Sequence, residues 1–374
     1  RRLRAIIVLL AGLSALLAGA LAAVLLGRKP PRERAEPPAT APSVPRAAPP
    51  KACRVTARPR LLARNISLAV PLKLEAVADG KRVALGMAET ATVAAGYTLD
   101  PDTLEAARAF TSDEGPEISG VTPLTSKQPL SFAVDRADSP LRWPTSIDTV
   151  PRTTVGVADA GFSRWTRGQT PRVLWRGDGA EPITTPRVAR APDGRFAVTF
   201  RRGGQDGSVL VGWLDRDGTA RGELGRIGAG GRLVGTPAIA ATASEILVAF
   251  ASRGTETEPW HVELARAPHD RLPSAARRTP LPNAEHDAMS PALAALPDGR
   301  WLLQWTERLQ AKYRVRVALL DSALEPLGRP LDVSPEGVDA GQGALWAGGA
   351  RALSLYAVNE DQRQELWGVQ LRCP

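Results

Sequence analysis

Two short loops near the C-terminal end carry the residue types that could do chemistry. The segments PNAEHDAMS and PEGVDAGQG combine carboxylates with a histidine and an amide, groups that hold polar ligands or act as general acids and bases. A pair of facing carboxylates, about 5–10 Å apart, would suit hydrolysis of a glycosidic bond. Alternatively, these residues are solvated loop positions without a ligand. The candidate ligand-binding residues are Glu285, His286, Asp287, Glu336, Asp339 and Gln342.

Signatures of other reaction classes are missing from the sequence. The three histidines, His261, His269 and His286, show no paired metal-ligand spacing, and neither a GxSxG elbow nor a glycine-rich phosphate loop occurs. The segment LDRDGTARGE faintly matches a calcium loop, but a DG hairpin turn explains it better. We therefore predict no catalytic residue, no metal site and no cofactor.

A repeated unit positions the two loops. In SPALAALPDGRWLLQW, from Ser290 to Trp305, one strand leads into a Pro-Asp-Gly turn, and a return strand places Trp301, Leu303 and Trp305 on one face. The unit recurs as TPRVARAPDGRFAVTF and, with a degraded turn, as TPAIAATASEILVAF. A period of about 50 residues with several strands in each unit is typical of a β-propeller.

Six units result when the template is extended in both directions. The starts fall near residues 71, 129, 186, 237, 291 and 342, the second of them a loose match around PLSFAVDR. The last unit lacks a fourth strand, and RVTARPRLL, from Arg54 to Leu62, precedes the first unit without another assignment. We therefore predict that this segment supplies the missing outer strand and closes the ring. The expected fold class is all-β, a six-bladed β-propeller following an N-terminal transmembrane helix.

The two cysteines lie at the ends of the expected propeller. Cys53 begins the closing strand, and Cys373 ends the third strand of the last unit. Two cysteines are too few for a metal site, so they are either two buried thiols or a disulfide that ties the ring together. The disulfide is the preferred interpretation, and it would place the domain in an oxidising compartment.

The N-terminal segment differs in composition from the rest of the chain. Ala5 to Gly27 is a run of 23 residues without a charge, flanked by arginines and long enough to span a bilayer. Cleavage as a signal peptide is the alternative to an uncleaved anchor. Residues 28–52 are rich in proline and alanine and predict an extended linker. The expected domains are thus a transmembrane anchor (1–27), a linker (28–52) and a propeller (53–374).

The charge distribution argues against a nucleic-acid partner. Residues 1–52 contain nine basic and two acidic residues, so they carry +7 of the formal net charge of +9. The propeller region therefore has almost balanced charge and no basic run with interleaved aromatic residues. We expect no nucleic-acid partner.

The unit of proline, alternating strand, PDG(R/K) turn and return strand resembles the repeats of bacterial envelope β-propellers, including the propeller domain of the Tol–Pal system. The resemblance rests on SPALAALPDGRWLLQW and TPRVARAPDGRFAVTF and covers most of residues 53–373 as a pattern. Aromatic-Ser tends to precede the PDG in that family, whereas Ala-Leu and Arg-Ala stand there in this chain. The resemblance implies the fold and binding across the ring face, and no functional residue transfers.

These observations together predict a membrane-anchored, extracytoplasmic propeller, in the periplasm or at the cell surface. It would act as a binding or scaffolding module of the cell envelope, with a protein or a glycan as its partner. The alternative is a glycan-active hydrolase or lyase with a carboxylate site in the propeller channel. A channel lined by apolar and arginine side chains would favour the binding module.

Overall fold

A computed structural model of the chain describes residues 52–68, 70–77, 81–125, 130–149, 152–159, 161–177, 182–203, 207–227, 232–278, 286–360 and 363–374. Every named element in these ranges is a β-strand. None of the described residues forms a helix that is long and apolar enough to cross a membrane. The predicted anchor and nearly all of the predicted linker, residues 1–51, lie outside the described ranges.

The strands form six blades of antiparallel strands and one two-stranded sheet. The first three sheets in chain order are blade 1, the two-stranded sheet and blade 2. Their strands are β3 (Lys73–Ala76), β4 (Val83–Ala88), β5 (Ala94–Leu99) and β6 (Ala106–Thr111) in blade 1; β7 (Ile118–Leu124) and β8 (Ser131–Arg136) in the two-stranded sheet; and β9 (Arg142–Thr149), β10 (Arg152–Ala158), β11 (Gly161–Thr166) and β12 (Arg172–Arg176) in blade 2.

Blades 3 to 6 follow the repeat more closely. Blade 3 contains β13 (Ile183–Arg190), β14 (Phe196–Arg202), β15 (Ser208–Leu214) and β16 (Ala220–Ile227), and blade 4 contains β17 (Leu233–Val234), β18 (Ala238–Ala241), β19 (Glu245–Arg253), β20 (His261–Pro268) and β21 (Arg277–Arg278). Blade 5 contains β22 (Ala288–Ala295), β23 (Trp301–Leu309), β24 (Lys312–Leu320) and β25 (Leu331–Asp332). Blade 6 contains β26 (Asp339–Gly348), β27 (Arg351–Glu360) and β28 (Arg363–Arg372), and it is completed by β1 (Arg54–Val55) and β2 (Arg60–Ala63).

The predicted ring closure is confirmed. Both β1 and β2 pair antiparallel with β28, so the segment from Arg54 to Ala63 provides the outer strand of the last blade. Cys53 and Cys373 form a disulfide directly beside this pairing, and both cysteines are buried. The covalent bond therefore takes the place of the hairpin loop that joins the outer strands of a continuous blade.

The second predicted unit is placed differently in the structure. The segment SFAVDR, which matched the template only loosely, forms β8 of the two-stranded sheet. The inner strand of blade 2 is β9, which starts at Arg142. Sequence matching missed the two-stranded sheet because its two short strands fill only half of the repeat template.

Apolar clusters join successive sheets around the ring. The tryptophans predicted to share one face, Trp301 and Trp305, are fully buried with Leu303 in the cluster between blades 4 and 5. Comparable clusters join the other neighbouring blades and also join blade 1 to the two-stranded sheet. Blades 1, 3, 4, 5 and 6 therefore bury apolar residues on both faces, and blade 2 does so on the face toward blade 3, so the stability of each blade depends on the presence of its neighbours.

The PDGR turns reverse the chain as predicted. Gly299 adopts a φ of 82° and Gly194 a φ of 86°, values that favour glycine. In both turns, the arginine that follows donates its guanidinium to the preceding aspartate, at 2.7 Å in each case. These hydrogen bonds lower the pKa of Asp193 and of Asp298.

Replacing Cys53 and Cys373 together by serine should lower the thermal unfolding midpoint. The bond joins residues separated by 320 positions, and removal of such a disulfide costs roughly 2–5 kcal/mol because the unfolded chain regains entropy. Differential scanning calorimetry measures the loss. Adding reductant to the unaltered protein should reproduce it, whereas reductant should not affect the double variant. An unchanged midpoint in the double variant would show that strand pairing alone closes the ring.

Candidate functional site

The inner strands of all seven sheets surround a central channel with a cavity volume of about 660 Å³. Blades 1 to 6 contribute β3, β9, β13, β18, β22 and β26, and the two-stranded sheet contributes β7 between the inner strands of blades 1 and 2. The channel has two ends. We call the end at which the inner strands begin the mouth, and the PDGR turns lie beyond the other end.

A β-bulge recurs near the beginning of the inner strands. Trp143, Thr185, Ser290 and Gln342 have φ values of 49°, 50°, 51° and 42°, and the ladder to the second strand shifts register beside each of them. Proline follows the first three. The residue at a bulge is left out of the ladder, so a proline there, which has no N–H, removes no ladder hydrogen bond. Pro186 and Pro291, two of the repeated prolines of the sequence, therefore mark the bulges of their inner strands.

The fourth bulge needs glycine rather than proline. A Cβ on Gly343 would lie 2.0 Å from the carbonyl oxygen of Leu355 and 2.7 Å from Nε2 of Gln304. Gln304, in blade 5, donates to that same carbonyl oxygen at 3.1 Å and accepts a hydrogen bond from Ser354 at 2.7 Å. Gly343 thus permits the polar contact between blades 5 and 6.

Four charged side chains line the channel among the described residues. Lys73 and Glu75 come from β3, and Arg187 and Arg190 come from β13. The opposite part of the wall, formed by β18, β22 and β26, carries no charged side chain and presents several alanines. The channel therefore has one charged side with three cations and one carboxylate, and one uncharged side.

Lys73 links three inner strands. Its ammonium donates to Oγ1 of Thr122 at 2.9 Å, to the carbonyl oxygen of Pro144 at 3.1 Å and to Oγ1 of Thr145 at 3.0 Å. All three protons of the ammonium therefore have acceptors. The contacts span β7 and β9, a junction at which Ser146 also donates its backbone N–H to Thr122.

The channel walls shift the titration of their charged groups. Burial lowers the pKa of Lys73 to about 8, with Asp135 raising it and Arg187 lowering it further. Burial raises the pKa of Glu75, although Arg190 and Lys73 oppose that shift. Burial also lowers the pKa of Arg187. Both lysine and arginine nevertheless carry positive charge at neutral pH.

Most of the described residues among the predicted ligand-binding candidates do not line the channel. Gln342 does, whereas His286, Asp287 and Glu336 lie in the loops that lead into β22 and β26, Asp339 is the first residue of β26, and Glu285 is outside the described residues. Glu336 is exposed, and Nδ1 of the partly buried His286 has no hydrogen-bond partner. Of the described candidates, Gln342 is thus part of the channel lining, and His286, Asp287, Glu336 and Asp339 are not.

Two of these carboxylates support the neighbouring blade. Asp287 accepts the backbone N–H of Trp260 at 2.9 Å, and Asp339 accepts that of Tyr313 at 3.0 Å. In both cases, the acceptor precedes or begins an inner strand, and the donor lies at the start of the third strand of the preceding blade. This repeated contact gives both aspartates a structural role.

Sequence reasoning missed the four charged residues of the channel. A signal was nevertheless present, because Arg187 follows the repeat proline at a position that Ala238 and Ala292 occupy in the other two clear units. A charged residue at a position that holds alanine in the other two units indicates that blade 3 forms a different part of the channel wall from blades 4 and 5. No such comparison was available for Lys73, because the first unit matches the template less closely.

Comparison with known proteins supports the fold. No family model matches the chain, and no curated protein matches it in sequence. The α-L-arabinanase of Penicillium chrysogenum is 10% identical with a TM-score of 0.53, and a protein of unknown function from Dyadobacter fermentans is 12% identical with a TM-score of 0.51; each match covers 86% of this chain and 99% of the other.

A sialidase of Trypanosoma rangeli is 13% identical with a TM-score of 0.48, and the match covers 83% of this chain and 55% of the sialidase. These identities are low, and the arabinanase and the Dyadobacter protein bear on the fold alone. The propeller implied by the Tol–Pal resemblance is thus confirmed, while no family model or sequence match supports membership of that family.

Two substitutions should move the pKa of Lys73 in opposite directions. Asp135→Asn removes the carboxylate that stabilises the ammonium, so the pKa should fall below about 8. Arg187→Ala removes a nearby like charge, so the pKa should rise. An NMR titration of the Lys73 side chain measures both shifts. Shifts of the same sign in the two variants would contradict this electrostatic description of the channel.

Proposed function

We propose that the protein is a binding module whose central channel takes an anionic ligand. The observation that carries this proposal is the excess of cationic side chains on one side of the channel, where Lys73, Arg187 and Arg190 stand against the single carboxylate of Glu75. A pair of facing carboxylates, which would favour hydrolysis, is missing from the described lining.

The two arginines of the channel have guanidinium N–H groups that are not hydrogen-bonded within the described chain and can donate to a ligand. Arg187 donates to the adjacent carbonyl oxygen of Pro186 at 3.0 Å, which uses one of its five N–H groups. Arg190 lies over the ring of Phe196, with its guanidinium carbon 5.6 Å from the ring centroid, and makes no hydrogen bond within the described chain. Planar guanidinium groups with unused donors suit carboxylate or phosphate oxygens, which accept two parallel hydrogen bonds.

The uncharged side of the channel leaves space for the body of the ligand. The residues that follow Pro237, Pro291 and Gly343 in blades 4, 5 and 6 are Ala238, Ala292 and Ala344, whereas Arg187 follows Pro186 at the matching position in blade 3. Small side chains on three inner strands widen the channel opposite the cations. A ligand with one charged end and an uncharged body fits this division of the wall.

Anion binding should depend on the arginines of the channel. Citrate and inorganic sulfate should bind with an affinity at least about tenfold higher to the unaltered protein than to Arg187→Ala or Arg190→Ala, because each substitution removes charge-assisted hydrogen bonds. Isothermal titration calorimetry measures the difference. Arg172→Ala, on the outer strand of blade 2, is the matched control and should bind like the unaltered protein. Equal affinities in all four proteins would refute an anion site in the channel.

A location outside the cytoplasm is part of the proposal. The buried disulfide supports it, since structural disulfides persist in oxidising compartments. We infer that the apolar run from Ala5 to Gly27 anchors the propeller to a membrane, and that its partner is a protein or a glycan of the cell envelope.

Labelling of intact cells with a membrane-impermeant thiol reagent tests that location. Cys53 and Cys373 should react only after treatment with reductant. Labelling that needs cell lysis, with or without reductant, would place the propeller in the cytoplasm.

A glycan-active hydrolase is the second candidate function. The solved structures favour it over a scaffold, because the arabinanase shares the fold at a TM-score of 0.53 and is named for an activity on a glycan. Glu75 is the residue that could act as a general acid, since burial in the channel raises its pKa.

Release of reducing sugars from arabinan and from acidic polysaccharides tests this second candidate. An activity that Glu75→Gln lowers by about 100-fold or more would establish the hydrolase. Binding of these glycans without any release would leave the binding module as the function.

A further inference from the structure

The mouth of the channel is ringed by side chains that can form hydrogen bonds. Each of them directly precedes a proline or glycine near the beginning of an inner strand, and all of them line the cavity. The ring consists of Ser119, Trp143, Thr185, Thr236, Ser290 and Gln342. Five strands thus supply a hydroxyl or an amide at this level, and one supplies an indole.

The polar groups of this ring are not used by the fold. The side chains of Thr236, Ser290 and Gln342 make no hydrogen bond within the described chain, and Gln342 is exposed. The hydroxyls of Ser119 and Thr185 are buried and also lack a partner. Buried polar groups without partners are uncommon in native proteins, so the hydroxyls of Ser119 and Thr185 indicate a ligand or ordered water at the site.

Trp143 occupies a backbone conformation that bulky residues avoid. Its φ is 49°, and its side chain is only partly buried while lining the cavity. Strained backbone positions persist where the surrounding structure enforces them and are concentrated at ligand sites. A partly exposed indole at the mouth provides a flat apolar surface for a ring-shaped ligand.

The distance between this ring and the cations matches one sugar unit. Arg187 lies two residues beyond Thr185 on β13, which corresponds to roughly 7 Å along the strand. A carboxylate held by Arg187 would therefore place the adjoining hydroxylated ring between Trp143 and the polar side chains of the mouth.

We propose that the ligand of the channel is a sugar acid, a pyranose that carries a carboxylate, and that it enters through the mouth. Arg187 binds the carboxylate, Gln342, Ser290 and Thr236 bind the hydroxyls, and Trp143 contacts the C–H face of the ring. This proposal rests on the proposed anion site and specifies the class of anion.

Three probes of matched size separate the contributions. D-glucuronate carries the ring, the hydroxyls and the carboxylate; D-glucose lacks the carboxylate; and cyclohexanecarboxylate lacks the hydroxyls. Ligand-observed NMR titration of the full chain should show glucuronate binding at least about tenfold more tightly than either of the others. Gln342→Ala and Ser290→Ala should weaken glucuronate binding by about threefold or more and leave cyclohexanecarboxylate unaffected.

Two further variants and a control variant complete the test. Arg187→Ala should weaken the binding of both acids, glucuronate and cyclohexanecarboxylate. Trp143→Ala should also weaken the binding of both, because each has a ring that contacts the indole. Arg172→Ala should leave the binding of both unchanged. Gln342 is exposed, so its variant keeps the test valid if Trp143→Ala does not fold.

Each result bears on the two proposals differently. Equal binding of glucuronate and cyclohexanecarboxylate would overturn the sugar acid and leave the anion site intact. Equal binding of glucuronate and glucose would overturn both. If none of the three probes binds, the sugar-acid proposal is refuted. The titrations with citrate and sulfate then test separately whether the channel holds an anion site.

Discussion

Closure of the ring is the constraint on which the rest of this structure depends. Five of the six blades pack apolar clusters on both faces, so these faces must be covered by a neighbour, and only a closed ring covers the first and last blades as well. Arg54 to Ala63 completes blade 6 by pairing with β28, and Cys53 and Cys373 fix that pairing covalently. The burial of all other blades follows from this one junction.

The channel is a consequence of closure rather than a separate feature. A ring of seven inner strands leaves a space along its axis, and the two-stranded sheet adds a polar junction to that ring. Apolar clusters join the blades elsewhere, whereas Lys73 reaches from blade 1 to Thr122 and Thr145 and joins the two-stranded sheet to blade 2. The irregular part of the ring therefore holds one charged group of the channel, the ammonium of Lys73, whereas the two arginines come from blade 3.

The charged residues at or just before the start of the inner strands of blades 5 and 6 have a different role from those that line the channel. Asp287 and Asp339 hold the third strands of the preceding blades through backbone N–H groups, so their carboxylates are engaged in the fold. Arg187 and Arg190 instead line the channel. A cluster of acidic residues in the sequence therefore did not predict the charged side of the channel, whereas arginines isolated in the sequence form part of it.

The sequence by itself determined the strands, the turns and the closure. Trp301 and Trp305 alternate with the period of a strand, Gly194 and Gly299 mark turns that need positive φ, and the two cysteines flank the repeat. These are local features, or features whose spacing follows the repeat. The two-stranded sheet departs from the repeat and could not be recognised from it.

Only the tertiary structure decided which residues face the channel and how they are charged. Lys73 and Arg187 are far apart in the chain, and they influence one another because ring closure places their strands around one axis. The carboxylates of the loops leading into β22 and β26 satisfy backbone groups instead, a role that depends on contacts between blades. A repeat predicts the strands within each blade, but side chains from different blades meet only after all the blades are packed into one ring.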